Sequence, residues 1–129
     1  MSSTSKKTVV VSYVLTAFVA LFLTFDTVLK VLQLAPAVQG TAQLGYPPDR
    51  VLTIGLIELV CLVLALVPRT SVLGTLLMTG YLGGAIATHV RVGNPLFTHV
   101  LFPVYVALLL WGGLYLREPR LRELLPLRR

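Results

Sequence analysis

Four long apolar runs separated by breakers constrain this chain more than any other feature. The first opens at Thr8, passes through Val9, Val10 and Val11 to Phe25, and continues with Val28, Leu29, Val31, Leu32 and Leu34. The second runs from Val51 to Val67, the third from Ser71 to Val90, and the fourth from Phe97 to Leu116. Each is near or above the roughly 17–25 residues a helix needs to cross the hydrocarbon core of a bilayer. Pro36 follows the first, Pro47 and Pro48 precede the second, Pro68 divides the second from the third, and Gly93-Asn94-Pro95 divides the third from the fourth. Lipid offers no hydrogen bonds to a peptide backbone, so the runs are expected as helices. A barrel would need short alternating segments, and the sequence has none. The expectation is an all-α transmembrane four-helix bundle: a single domain over 1–129, with helices over about 8–34, 51–67, 71–90 and 97–116 and a basic tail over 117–129.

Composition agrees. The chain is 56% hydrophobic and only 12% charged, against about 25% charged in soluble domains, and a soluble fold of this size has too little interior to hide so much apolar side chain. Lys6 and Lys7 open the first run as a signal peptide would. The run is long, however, and Ala35-Pro36-Ala37 makes a poor cleavage site, so a retained anchor is expected.

The net charge of +6 raises the question of nucleic acid. The basic residues are split between the ends and short loops rather than gathered on a water-exposed patch, which argues against that partner. They fit membrane orientation instead. With alternating spans, Lys6, Lys7, Arg69, Arg117, Arg120, Arg122, Arg128 and Arg129 fall on one side and Lys30, Arg50 and Arg91 on the other, eight against three. The richer side is expected in the cytoplasm, with both termini. Tyr13, Tyr46, Trp111 and Tyr115 lie near expected span ends, where amphipathic rings prefer to sit. The single cysteine, Cys61, cannot form a disulfide within the chain and is read as a small hydrophobe.

Short turns at Pro68-Arg69 and Val92 to Leu96 make the second and third, and third and fourth, helices antiparallel neighbours. The third carries Gly74, Gly80, Gly83, Gly84, Ala85 and Ala87, and the Gly80-xxx-Gly84 pair marks it as the expected central packing element. The same face could serve a protein partner or a second copy of the chain. The stretch 35–50 is expected as an extended connection outside the membrane. The tail, with Leu121, Leu124, Leu125 and Leu127 among its arginines, is expected to rest on anionic headgroups. Pro103 is expected to kink the fourth helix.

Ionisable side chains at membrane depth are costly and mark sites. Asp26 and Lys30 are one turn apart near the far end of the first helix. Glu58 lies eight residues beyond Arg50, about 12 Å down from the same surface. His89 and Arg91 end the third helix there, Asn94 follows in the loop, and His99 begins the fourth helix. Tyr81 and Ala85 lie below His89 on the same stripe. The opposite half of the bundle holds nothing comparable. Glu58, His89, Asp26 and Lys30 are therefore the candidate catalytic residues, and Arg91, Asn94, His99 and Tyr81 the candidate substrate-binding ones. Set against this, Asp26–Lys30 reads equally as a structural ion pair, Arg91 and His99 as interfacial anchors, and Glu58 and His89 as clamps between helices. The spacing of histidines and carboxylates matches no metal signature, and no phosphate loop, HExxH, CxxC or GxSxG is present, so no metal is expected and no cofactor can be named.

With these residues in place, the chain resembles the DoxX-like family of small bacterial four-helix membrane proteins. The stretch GYLGGAIATHVRVGNPLF, Gly80 to Phe97, is similar to the family's third helix and following loop, and Pro103 with WGGLYLREPR, Trp111 to Arg120, to its fourth. GLIE, Gly55 to Glu58, resembles the family's Gly-x-x-Glu, and Leu29-Lys30 its Lys-containing first helix end. The resemblance implies a multi-pass protein of the bacterial inner membrane. It also implies a membrane subunit or assembly partner in quinone-linked redox processes, with functional weight on Lys30, Glu58, His89 and Arg91. The polar cluster itself suggests a different function, a small membrane enzyme doing acid–base chemistry (isomerisation, epoxide opening or cyclisation) on a lipophilic substrate. A small-solute carrier ranks third, because four short helices leave little room for a pore.

Overall fold

The computed structural model describes residues 5–47 and 49–128; Pro48 and Arg129, counted above among the breakers and the cytoplasmic charges, lie outside them. The described residues form helices and turns, with no strand. The helices are α1 (Lys6–Val31), α2 (Ala35–Gln43), α3 (Arg50–Leu66), α4 (Ser71–Arg91), α5 (Phe102–Arg117) and α6 (Pro119–Leu124). A 3₁₀ turn, Pro68–Thr70, joins α3 to α4, and a π turn, Leu96–Val100, precedes α5.

Local chemistry sets the ends of these helices. The Ser5 hydroxyl accepts from the Thr8 amide at 3.2 Å and caps α1. At the other end Gln33 takes a left-handed φ of 54°, and the Leu34 amide folds back to the Leu29 carbonyl at 3.0 Å. This turn stops α1 at Val31, short of the expected 34. Pro36, which lacks an amide hydrogen, is then placed in the first turn of α2, where none is needed. The connection 35–50 is therefore not an extended loop: more than half of it is helical. Pro103 likewise falls in the first turn of α5 rather than kinking a continuous helix, and the residues ahead of it are wound as the π turn.

α1 packs against α3 and α5, and α4 packs against the same two, closing a ring in which α1 and α4 lie diagonally opposite. Arg117, at the end of α5, bonds the Ser12 carbonyl and the Thr16 hydroxyl near the start of α1, so the start of α1 and the end of α5 share one end of the ring. Val19, Leu23, Cys61, Met78, Leu82, Val106 and Leu110 fill the middle. Outside, large apolar side chains stand free, among them Leu21 at 73% and Phe18 at 65% exposure. Such a belt would be untenable in water and is what lipid accepts. Three helical stretches are long and apolar enough to cross a membrane: Lys6–Val31, Pro68–Arg91 and Leu96–Arg117. α3, at 17 residues, rises about 25 Å, somewhat short of the roughly 30 Å core.

The packing role of the α4 glycines differs from expectation. A Cβ at Gly80, Gly83 or Gly84 would meet nothing within 4 Å, and all three positions are exposed. The close approach is made at Gly74, where a Cβ would collide with the Leu64–Ala65 backbone of α3. Gly113 does the same for α5 on α1, with Thr16 Oγ1 and the Ser12 carbonyl in the way of a side chain. The Trp111 indole donates to Thr79 Oγ1 at 2.8 Å and ties α5 to α4.

Gly74→Ala should therefore force α3 and α4 apart and lower the melting temperature in detergent by several degrees, a cost of about 1–3 kcal/mol for overpacking. Gly84→Ala should melt near wild type. Equal melting of the two variants would contradict the assignment of the close contact.

Candidate functional site

The ring brings four of the candidate residues into one network at the end remote from the termini. Lys30 Nζ donates to Asp26 Oδ2 at 2.6 Å within α1, to Tyr81 Oη on the diagonal helix α4 at 2.7 Å, and to Glu58 Oε1 of α3 at 3.4 Å. Tyr81 Oη donates to the same Glu58 oxygen at 3.4 Å. The Gly-x-x-Glu spacing has a physical reason. A Cβ on Gly55 would lie 2.8 Å from Lys30 Cβ and 3.1 Å from the Lys30 backbone, so only glycine lets α3 approach here. One turn on, Glu58 is then carried beneath the ammonium.

Glu58 is the least satisfied member. It is 1% exposed, both contacts to Oε1 are long, and Oε2 is buried with no hydrogen-bond partner. Asp26, by contrast, is about one-third exposed and held by a short charged bond. The buried cation is shared between two carboxylates, which also lie close enough to interact with each other.

A second cluster forms where α4 ends. Gly93, at φ 74°, and Asn94 fold back so that their amides reach the carbonyls of Val90 and His89, both at 3.1 Å. The same turn aims the Asn94 side chain at His89, with Nδ2 lying 2.7 Å from Nδ1. With the amide nitrogen donating, Nδ1 accepts and the ring proton sits on Nε2. The π turn brings His99 edge-to-face with His89, ring centroids 5.7 Å apart. Arg91 turns away from both clusters. Its guanidinium donates to the Leu44 carbonyl at 2.7 Å and holds the end of α2 against α4.

Three cavities share walls here. A mouth of about 420 Å³ lies between α2, the end of α1 and the π turn, lined by Asp26, Gln43, Asn94 and His99 among others. A groove of about 370 Å³ runs along α3 and α4, with Ile54, Ile57, Gly80 and Gly84 on its sides and Tyr46 and Thr88 at its head. A chamber of about 150 Å³ sits inside the ring, bordered by Phe22, Glu58, Tyr81, Phe102 and Val106. Lys30 and His89 border all three. Among the described residues no three His, Cys, Asp or Glu side chains come close enough to hold a metal ion.

Several contributors were not legible as site residues. Thr41 and Leu44 belong to α2 and the turn after it, which the proline- and glycine-rich sequence disguises as loop. Tyr46 is not simply an interfacial ring, since its hydroxyl lies 3.1 Å from Thr88 Oγ1. Gly93 at the end of a helical run is a signal that could have placed Asn94 over His89 from sequence. The opposite end of the ring is also less empty of polar contacts than expected: Arg117 Nη1 donates to Thr16 Oγ1 at 2.7 Å, and the guanidinium stands 4.6 Å from the Tyr13 ring centre.

Arg91→Met should release α2 without touching the Lys30 network. Amide exchange over residues 35–46 is expected to quicken about tenfold, the worth of one charge-assisted hydrogen bond. Unchanged protection there would show that Arg91 is not the tether.

No curated protein and no solved structure gives a significant match to the chain. The family model described as the DoxX-like family matches residues 14–113, a stretch that begins inside α1, includes the Lys30–Glu58–Tyr81 network and both histidines, and ends at Gly113 where α5 meets α1. With the match extending over most of the ring and all of the site, the chain belongs to the DoxX-like family.

Proposed function

We propose that this protein is a small membrane enzyme that binds a lipophilic molecule in its intramembrane pocket and moves a proton on it through Glu58. The observation that carries this reading is the Glu58 carboxylate, 1% exposed, with Oε2 unpartnered on the wall of a cavity. A purely structural clamp would satisfy both oxygens, because an orphaned buried acceptor costs about 1–3 kcal/mol. An acid–base group needs a lone pair or proton facing the substrate. Lys30, positioned by Asp26, and Tyr81 steady the charge on Glu58 as the proton comes and goes, and His89 is the second group able to accept or donate one. Isomerisation, epoxide opening and cyclisation all fit: each is redox-neutral and balances with one proton given and one taken. In this reading α3 crosses the bilayer together with the other three long helices. The chain ends lie in the cytoplasm of a bacterial cell, and the site opens at the far surface of the inner membrane.

A second reading, a subunit or assembly partner in quinone-linked redox processes, is favoured by family membership and by the tail. There α6 is followed by Leu125 and by Leu127 at 78% exposure, beside Arg128, an arrangement suited to a partner or to headgroups.

Glu58→Gln keeps the shape and removes the acid. Lipid extracts of cells expressing wild type and variant, compared by mass spectrometry, should show a product that falls at least about 100-fold in the variant while protein level and melting temperature hold. Undiminished product would end the catalytic assignment. For the second reading, native membranes solubilised in mild detergent should yield a stoichiometric protein partner; repeated recovery of the chain by itself would rule it out.

A further inference from the structure

The hydrogen-bonding inventory of the chamber points to the chemistry of its occupant. An ammonium has three donors, and those of Lys30 are taken by Asp26, Tyr81 and Glu58. The Tyr81 hydroxyl accepts from Lys30 and donates to Glu58. What remains open on the polar wall is the second carboxyl oxygen, Glu58 Oε2. A hydroxyl on the occupant matches it in either protonation state, donating to the carboxylate or accepting from the carboxyl.

The other walls limit the body that carries it. Phe22 and Phe102 stand edge-to-face with centroids 5.3 Å apart, and Leu82 and Val106 complete an apolar lining. The polar wall, with Asp26, Lys30, Glu58, Tyr81 and His89, can bond water, but the apolar walls cannot, and a cavity of about 150 Å³ is the size that takes one six-membered ring. The chamber and the lateral groove share Lys30, Tyr81, Ala85 and His89 on their walls. In the groove, Gly80 and Gly84 leave open space that any larger side chain would fill.

We propose that the chamber takes the ring of a lipophilic phenol, whose O–H donates to Glu58 Oε2, while its alkyl tail lies in the groove over Gly80 and Gly84. The proposal rests on the pocket reading above and specifies its substrate class. It gives the exposed α4 glycines a small-molecule occupant rather than a second copy of the chain, because the groove shares the Lys30–Tyr81 wall with the chamber that Glu58 borders.

The test uses the full chain in lipid nanodiscs, with empty nanodiscs as reference, and two probes that differ only in the donor: 4-dodecylphenol and its methyl ether. Equilibrium partition should favour the phenol by about tenfold, the worth of a hydrogen bond to a charged group. Glu58→Leu should erase that preference. Gly84→Leu should weaken both probes at least about tenfold without lowering the melting temperature, and Gly80→Leu serves the same purpose should the first variant fold poorly. Equal binding of phenol and ether to wild type, with both still blocked by leucine at Gly84, would overturn the phenol assignment and leave the pocket reading standing. Absence of binding by either probe would overturn both. A Gly84→Leu variant that binds both probes normally but loses a dimer on size exclusion would hand the glycine face to a second copy and overturn the proposal.

Discussion

A single ammonium inside an apolar ring organises everything around it. Lys30 cannot be left bare in that environment, and its three bonds reach its own helix, the adjacent α3 and the diagonal α4. The diagonal bond matters most: α1 and α4 lie opposite one another in the ring, yet the Lys30–Tyr81 contact couples them through its centre. Gly55 exists to let α3 close on this cation, and the cavities open where the cation prevents apolar side chains from filling the space. Breaking the network by removing Lys30 would strand two carboxylates, so the network holds the ring together as well as bordering the cavities.

Much of this could be read from the chain because charge in an apolar run admits few solutions. Asp26 and Lys30, one turn apart, can pair, and Glu58 at membrane depth needs a partner or a proton. The helices themselves follow from the absence of water. What escaped were features that depend on who the neighbour is. Glycine in a helix permits close packing without saying whether a partner comes. At Gly74 the α3 backbone is there, and at Gly80 and Gly84 nothing is. Tyr81 read as one of several residues on a stripe, because its bond crosses the ring to a helix distant in sequence. Arg91 read as part of the site by proximity in sequence, whereas the turn at Leu44, returning from α2, offers its guanidinium a carbonyl on the other side.

The two helix-ending turns show how few residues are needed to build the mouth. Gln33 and Gly93, both left-handed, reverse the chain after α1 and α4, and each reversal delivers a piece of the mouth: α2 as a cover in one case, Asn94 onto His89 in the other. The π turn completes the arrangement by presenting His99 ahead of Pro103, a proline in the first turn of α5, where its missing amide hydrogen costs no helical bond.

The shortness of α3 bears on the lipid as well as on the protein. On the reading proposed above, in which α3 crosses the bilayer, a helix of 17 residues beside one of 26 would create hydrophobic mismatch along its flank, met by thinning of the bilayer there or by headgroups sinking toward Asp49 and Arg50. That dimple would bring the aqueous phase nearer to Glu58 than an undistorted membrane would, on the same side as the glycine-floored groove. Membrane thickness would then govern how wet the carboxylate is, making acyl-chain length a physiological control on the site.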